Sequence, residues 1–330
     1  MQKPFKALVV EDQEGVRHAT VQPIQLNDLP EGDVLINVHY SGINYKDGLA
    51  ADRNGQVVKQ TPFIPGIDLA GEVVESSDDR FEPGDSVVAT SYEIGVSHFG
   101  GYSQFARVPA DWVVPLPKGL TLKESMILGT AGFTAALSIQ RLEENGLTPN
   151  DGEVLVTGAT GGVGSLAVAM LARKNYAVVA STGKSADHEY LKNLGATKVI
   201  SREDVYDGKL STLGKQQWAS AVDPVGGEPL ASVLSKIKYR GSVAVSGLTA
   251  GGKVPTSVFP FILRGVSLLG IDSVYCPMAE RIQIWERLAT DLKLSQLEQH
   301  VAEEITLDQV PERLPAILKG KIRGRILIRL

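Results

Sequence analysis

Four glycines, Gly158, Gly161, Gly162 and Gly164, fall within the stretch "EVLVTGATGGVGSLAVAM", residues 153–170, between an apolar run and a small-residue helical pattern. Gly158, Gly161 and Gly164 spell GxxGxxG. Glycine at such points lets a chain turn tightly out of a strand, brings bare backbone against a pyrophosphate and offers the amides of a helix N-terminus to it. A P-loop is excluded, because Ser165 rather than Lys follows the last glycine. The chemistry implied is the holding of a dinucleotide. NAD-selective folds place an acidic residue about 20 positions further on to take the ribose 2′-hydroxyl, whereas cationic residues there accommodate a 2′-phosphate. This chain has "ASTGKS" at 180–185, so Ser181, Thr182 and Lys184 offer hydroxyls and a cation, and no carboxylate follows until Asp187. NADP(H) is therefore expected. One charge-assisted contact contributes about 1.5–3 kcal/mol, a roughly ten- to hundred-fold preference. Arg202, in "SRED" after the next strand-like run, is a further cation expected near the same end of the sheet.

These groups need elements to hold them. From about residue 127 the pattern runs strand then helix, repeated: "EVLVTG", "SLAVAMLARK", "AVVAST", "DHEYLKNLG", "TKVI", "SAVD", "PLASVLSKI", "SVAVSG" and a closing "VSLLGID". Such alternation predicts a parallel sheet covered on both faces, an α/β doubly wound domain over 127–275. Residues 1–126 read instead as short alternating or apolar runs ("FKALVVED", "DVLINVHY", "AGEVVESS", "DSVVATS", "YSQFARVP") separated by Gly, Pro and Asp, which predicts a β-rich domain. The tail, 276–330, runs helix, strand, helix and final strand, and its pattern alone fits either domain.

The 330 residues exceed the ~250–300 at which single cores tend to stop growing, in keeping with two domains. A net charge of −5 with no aromatic-basic pattern argues against nucleic-acid binding. Cys276 is the one cysteine, so no intramolecular disulfide can form, and a reducing compartment fits. No run of ~18 apolar residues could span a bilayer and the N-terminus lacks a long apolar signal core, so a soluble cytoplasmic protein is expected. The five histidines (18, 39, 98, 188 and 300) lack metal-ligand spacing and are expected to be ordinary surface or loop residues.

"TGATGGVG", residues 157–164, is similar to the TGxxxGxG of short-chain dehydrogenases, but that family sets its loop near the N-terminus and uses a Tyr-x-x-x-Lys pair. None of the nine tyrosines here has Lys four residues on. The β-rich half, the central GxxGxxG and "GINYKD", "PGIDLAGEV", "EPGDSVV", "GTAGFTA", "DPVGG" and "KIRGRILI" resemble a medium-chain dehydrogenase/reductase of the zinc-independent quinone-oxidoreductase branch, nearly end to end. Within it, "NYKD", "IPGIDLAG", "ILGTAGFTAALS" and "FPFILRGVSLLGIDSV" are similar to the YhdH/YhfP type, which includes acryloyl-CoA reductases.

The resemblance implies a GroES-like catalytic domain, completed by residues 290–330, beside a Rossmann NADP-binding domain. Zinc-dependent relatives place a Cys and a His where Asn44 and Ile67 stand here, so no metal is expected. It further implies that nicotinamide meets substrate in an interdomain cleft near Asn44-Tyr45-Lys46-Asp47. Asn44 would polarise a carbonyl or position the ribose, and Tyr45 would contact the cofactor and deliver a proton. Lys46 and Asp47 would pair to fix the turn. Thr160, Gly161, Gly162 and Val163 would contact pyrophosphate, while Ser181, Lys184 and Arg202 would surround the 2′-phosphate. The backbone of Leu248 and Ser273 would lie along the nicotinamide half.

The implied reaction is NADPH-dependent reduction of an α,β-unsaturated acyl thioester such as acryloyl-CoA. Arg53, Lys59 and Lys253 are candidates for its phosphates. Reduction of quinones or free enones is the alternative within the class, and a non-catalytic NADPH sensor the alternative outside it. Small-molecule substrates, no membrane and a homodimer are the expected partners, the dimer by analogy with strands like "VSLLGID" that pair across a two-fold.

Overall fold

The computed structural model describes residues 3–330. The chain divides into two units, one running to Thr130 and taking in Val274–Ala289 and Gln296–Leu330, the other comprising Ala131–Ser273 and Thr290–Ser295.

The first unit opens with a hairpin of β1 (Phe5–Gln13) and β2 (Val16–Ile24). There follow β3 (Val34–Gly42), helix α1 (Tyr45–Ala51), β4 (Asp68–Ser76), β5 (Ser86–Thr90), β6 (Phe105–Val108) and β7 (Val113–Pro115). A helical run, α2 (Leu122–Glu144), is broken at Gly129, whose φ of 49° and ψ of −155° no helix contains. That glycine immediately precedes the end of the first unit.

In the second unit β8 (Val154–Val156), α3 (Gly162–Arg173), β9 (Val178–Thr182), α4 (His188–Asn193), β10 (Lys198–Ser201), α5 (Arg202–Val205), β11 (Trp218–Asp223), α6 (Gly227–Lys236), β12 (Ile237–Val245), α7 (Phe259–Arg264) and β13 (Ser267–Gly270) alternate. The six strands are parallel, in the order β10-β9-β8-β11-β12-β13. Strand order therefore reverses between β8 and β11. Loops leaving those two strands diverge, and the crevice outside their carboxyl ends is where ligands bind in open parallel sheets. Helix α3 explains the small residues of its sequence: Gly164 through Leu171 are all buried, so it lies deep against the sheet.

The tail supplies α8 (Met278–Ala289), β14 (Val301–Thr306), α9 (Val310–Leu318) and β15 (Arg325–Arg329). Its strands join the first unit's seven-stranded sheet, ordered β14-β15-β3-β4-β5-β7 with β6 also on β3. The apolar centre of "RILIR" makes β15 an interior strand, antiparallel to β3 with Leu327 opposite Gly42. This register brings Arg325 to the point where β3 runs into α1. Among the described residues no helix is long and apolar enough to cross a membrane. One histidine departs from expectation: His300 is 1% exposed and neither ring nitrogen has a hydrogen-bond partner.

Candidate functional site

At the reversal point of the second unit, Gly158 turns out of β8 at φ 53°, and the Gly161 N–H closes the turn on the Gly158 carbonyl at 3.0 Å. Helix α3 begins at the next residue. A Cβ on Gly164 would lie 2.4 Å from the Gly158 oxygen, so only glycine lets the helix sit this close to the loop. The amides at the start of α3 are thereby carried by nearly bare backbone, the arrangement that suits an anion. Thr160 is buried, while Gly161, Gly162 and Val163 are part-exposed along the rim.

The neighbouring loop is set by Asp223, which ends β11. Its carboxylate accepts from the Val225 and Gly226 amides at 2.9 and 2.6 Å and from the Thr157 hydroxyl at 2.9 Å. Burial pushes this carboxyl upward against those bonds. A Cβ on Gly247 would lie 2.1 Å from the Pro224 oxygen, so the loop after β12 is pressed onto the one after β11. Leu248 stands on that loop with its side chain 66% exposed, which rules out core packing as its purpose. Ser273 is half-buried at the end of the unit.

At the end of β9, a Cβ on Gly183 would lie 2.5 Å from Arg202 Nε and 2.7 Å from Cζ. The Arg202 guanidinium thus lies flat on the Gly183 backbone, beside Lys184, whose N–H donates to the Thr182 hydroxyl at 3.1 Å. The Arg202 guanidinium and the Lys184 backbone share the turn that leaves β9, a stretch without a carboxylate until Asp187. Ser181 does not join them: it is buried and its hydroxyl donates to the Ser201 carbonyl at 3.3 Å, so the expected hydroxyl donation to a phosphate is already spent.

The first unit contains a second cluster. Asn44 caps α1, and both ends of its amide are taken: Arg325 Nη1 donates to Oδ1 at 3.0 Å, and Nδ2 donates to Asp68 Oδ2 at 2.7 Å. One Nδ2–H remains uncommitted. Tyr45, the first residue of the helix, has its side chain 45% exposed. Asp47 is fully buried, and its carboxylate accepts the backbone N–H groups of Asn44 at 2.8 Å and Ile67 at 2.9 Å. The expected Lys46–Asp47 pair does not form. Lys46 instead acts with Lys59 on Glu93, whose carboxyl is held below the usual range first by hydrogen bonds from Ser97 and Tyr275. Burial, and then the Asp68 charge, push Asp47 up to about 6. Burial also drives the Tyr102 hydroxyl well up, with Asp47 and Asp68 adding to it.

Arg325, Asp68 and Thr130 are residues to which sequence reasoning assigned no role. Asp68 is wholly buried; Thr130 donates to it from its hydroxyl at 2.5 Å and from its amide at 3.0 Å, and Arg325 Nη2 stands 3.6 Å away. Arg325 also donates to the Ile43 and Ile127 carbonyls at 3.2 and 3.1 Å. Among the described residues no group of three or more His, Cys, Asp or Glu is placed to hold a metal ion.

A β-rich unit with a polar, helix-capping centre and a doubly wound unit with a glycine-rich loop together define a dinucleotide-dependent dehydrogenase or reductase. Residues 30–118 match the alcohol dehydrogenase GroES-like domain family, and residues 162–290 match the zinc-binding dehydrogenase family. The chain is 60% identical to YhfP of Bacillus subtilis, which carries a quinone-oxidoreductase name, over 99% of each. The crystal structure of that protein, with NAD bound, superposes with a TM-score of 0.98 and covers 100% of both chains. Acrylyl-CoA reductase AcuI of Ruegeria pomeroyi is 49% identical over 98% of each. The structure of Escherichia coli K-12 YhdH with bound NADPH is 47% identical, with a TM-score of 0.95 over 98% of this chain and 99% of that one. This chain belongs to the medium-chain dehydrogenase/reductase family of oxidoreductases, in its YhdH/YhfP type.

Proposed function

We propose that this protein is an NADPH-dependent reductase of an activated C=C bond, acting without zinc on a short enoyl thioester such as acryloyl-CoA. The observation that carries the cofactor choice is the Arg202 guanidinium lying on Gly183 beside Lys184. A planar fork and an ammonium suit a phosphate dianion and gain less from a neutral ribose hydroxyl. The residues fit the dinucleotide. Thr160, Gly161, Gly162 and Val163 would meet its pyrophosphate at the α3 N-terminus, Thr182, Lys184 and Arg202 its 2′-phosphate, and the backbone of Leu248 and Ser273 its nicotinamide half.

When bound, NADPH supplies a hydride for the β carbon. The remaining chemistry falls to the chain. The exposed Tyr45 hydroxyl delivers a proton to the α carbon, and the one uncommitted Nδ2–H of Asn44 polarises the thioester carbonyl. The Asn44 amide is already gripped by a guanidinium and a carboxylate, and a divalent ion beside Arg325 would be repelled by it. Such a reaction needs no Lewis acid. Similarity to AcuI supports the thioester as substrate. Similarity to YhfP favours a second reading, the reduction of quinones or free enones.

A homodimer belongs to the same proposal. Strand β13 is an open sheet edge, and beside it Ile262 and Leu263 of α7 are 68% and 57% exposed, an apolar strip that an isolated edge strand would not be expected to keep in water. A cytoplasmic setting is likewise proposed, on a sequence whose one cysteine, Cys276, is buried and can form no disulfide within the chain.

The test is a substrate panel followed through loss of NADPH absorbance at ~340 nm, with acryloyl-CoA, a simple enone and a quinone, and NADH in parallel. Consumption of NADPH with acryloyl-CoA is expected. Consumption with quinone alone selects the second reading, and none with any acceptor overturns both.

A further inference from the structure

The described residues hold a buried ion pair, Asp68 with Arg325, for which the chain around it makes room. Asp68 opens β4 and Arg325 opens β15, 257 positions apart in sequence by the difference of their numbers. A Cβ on Gly42 would lie 2.8 Å from Arg325 Nη2, and one on Gly129 would lie 2.5 Å from Asp68 Oδ2 and 2.9 Å from that same nitrogen. Two glycines in two different segments thus leave room for one guanidinium and one carboxylate. At Gly129 the chain also breaks a helix to do so, and the residue that follows, Thr130, turns its amide and hydroxyl onto Asp68.

Stability is a poor reason for this arrangement. Taking two charges out of water costs about as much as their attraction returns, and well-packed apolar side chains of similar volume often serve a core equally well. What the pair does that apolar residues could not is hold an amide by both ends. Arg325 donates to Asn44 Oδ1 and Asp68 accepts from Nδ2, so the side chain cannot flip and its remaining N–H has one direction. Asp47 fixes the backbone of the same residue and ties it to Ile67. Since Asn44 is the cap of α1, the residue after it is fixed as well.

We propose that Asp68 and Arg325 are positioning residues of the reaction: by clamping the Asn44 amide they aim its free N–H and set the first turn of α1, where Tyr45 stands. This rests on the reading of Asn44 and Tyr45 as the groups that meet substrate. Misplacing reacting groups by about 1 Å costs on the order of 10²-fold in rate, which is the effect to look for.

The experiment compares wild type with the double variant Asp68→Leu/Arg325→Met, an exchange that removes the clamp while replacing the pair by apolar side chains. Thermal melting, NADPH affinity by fluorescence titration, and kcat and KM for acryloyl-CoA are measured on each. The expected result is a folded double variant with NADPH affinity and KM within about twofold of wild type and kcat lower by about 10²-fold. A folded double variant with wild-type kcat overturns the proposal. If that variant does not fold, Arg325→Lys decides, because it keeps the charge and loses the planar fork: kcat should fall with KM held, and unchanged kcat refutes the clamp.

If wild type reduces no enoyl thioester, the functional reading fails separately, and the clamp is read from Asn44 itself by NMR. A held amide keeps its Asp68-bonded Nδ2 proton slow to exchange with solvent in wild type, and that exchange becomes faster in Arg325→Lys. Identical behaviour in the two proteins refutes the clamp.

Discussion

Replacing Arg202 by Ala should change which coenzyme the protein prefers, and the size of the change follows from where the side chain lies. It opens α5 just past β10, is 73% exposed, and has Nε 3.3 Å from Glu203 Oε1. An exposed ion pair alone contributes about 0.2–1 kcal/mol. A phosphate dianion facing a planar guanidinium does better, because charge-assisted hydrogen bonds contribute about 1.5–3 kcal/mol. With this much solvent around it the lower part of that range applies, about 1.5–2 kcal/mol, or roughly a 10- to 30-fold effect. Arg202→Ala is therefore expected to raise the KM for NADPH by that factor while moving the KM for NADH by no more than about twofold. Initial rates with both coenzymes at saturating acceptor give the ratio directly. Glu203→Gln, which removes the carboxylate competing for the guanidinium, should move the NADPH value the other way. The reasoning is refuted if Arg202→Ala leaves the NADPH value where it was, or raises both coenzymes equally.

Tyr45→Phe should retain NADPH affinity and lower kcat by about 10²- to 10⁴-fold, as loss of a placed proton donor does; stopped-flow hydride transfer with unaltered rate would remove Tyr45 from the chemistry. Burial holds the folded His300 ring at about 4, whereas the unfolded chain protonates it near 6.5, so stability is whole above 6.5 and falls as pH drops toward 4. The loss at about pH 5 is about 2 kcal/mol, and urea melts at about pH 5 and 7 should show His300→Leu free of it. Asp47 works in the opposite sense, since its carboxyl is raised from 3.8 to about 6: its burial cost is full above 6 and relieved as pH falls toward 3.8, and the wild-type profile is the sum of the two. Ile262→Asp, a charge set into the apolar strip beside β13, should convert a dimer into monomers in sedimentation, with melting changed little beyond the lost association.

The α/β half was readable because each strand and helix there carries its own periodicity, and because GxxGxxG, "DPVGG" and the cations near the end of β9 lie within short stretches. Gly164 is the plain case: its spacing named it, and the 2.4 Å approach to Gly158 gives the reason. The capping cluster was not readable in this way. "PGIDLAG", "GTAGFTA" and "KIRGRILI" each stand out as motifs, yet nothing in any of them tells that Asp68, Gly129 and Arg325 meet. Only the antiparallel register of β15 on β3 brings the last of these to Asn44. A charged residue heading an apolar interior strand was the one available hint. Burial likewise separates the structure from the sequence expectation at two further places. Lys46 and Asp47 are neighbours in sequence, but the carboxylate turns inward to two backbone amides, and His300 has the look of a loop residue although it is packed on all sides. Burial belongs to tertiary structure.

Direct transfer of hydride from the nicotinamide to the β carbon of an enoyl thioester is tested most directly with NADPH carrying deuterium at both positions of the nicotinamide C4. Acryloyl-CoA would be turned over with this coenzyme in ordinary water and the product examined by NMR. The account predicts saturated propionyl thioester with deuterium at the β carbon and a solvent hydrogen at the α carbon, formed one for one with coenzyme oxidised. Deuterium at the α carbon or lost to solvent, or coenzyme oxidised with the thioester intact, would contradict it.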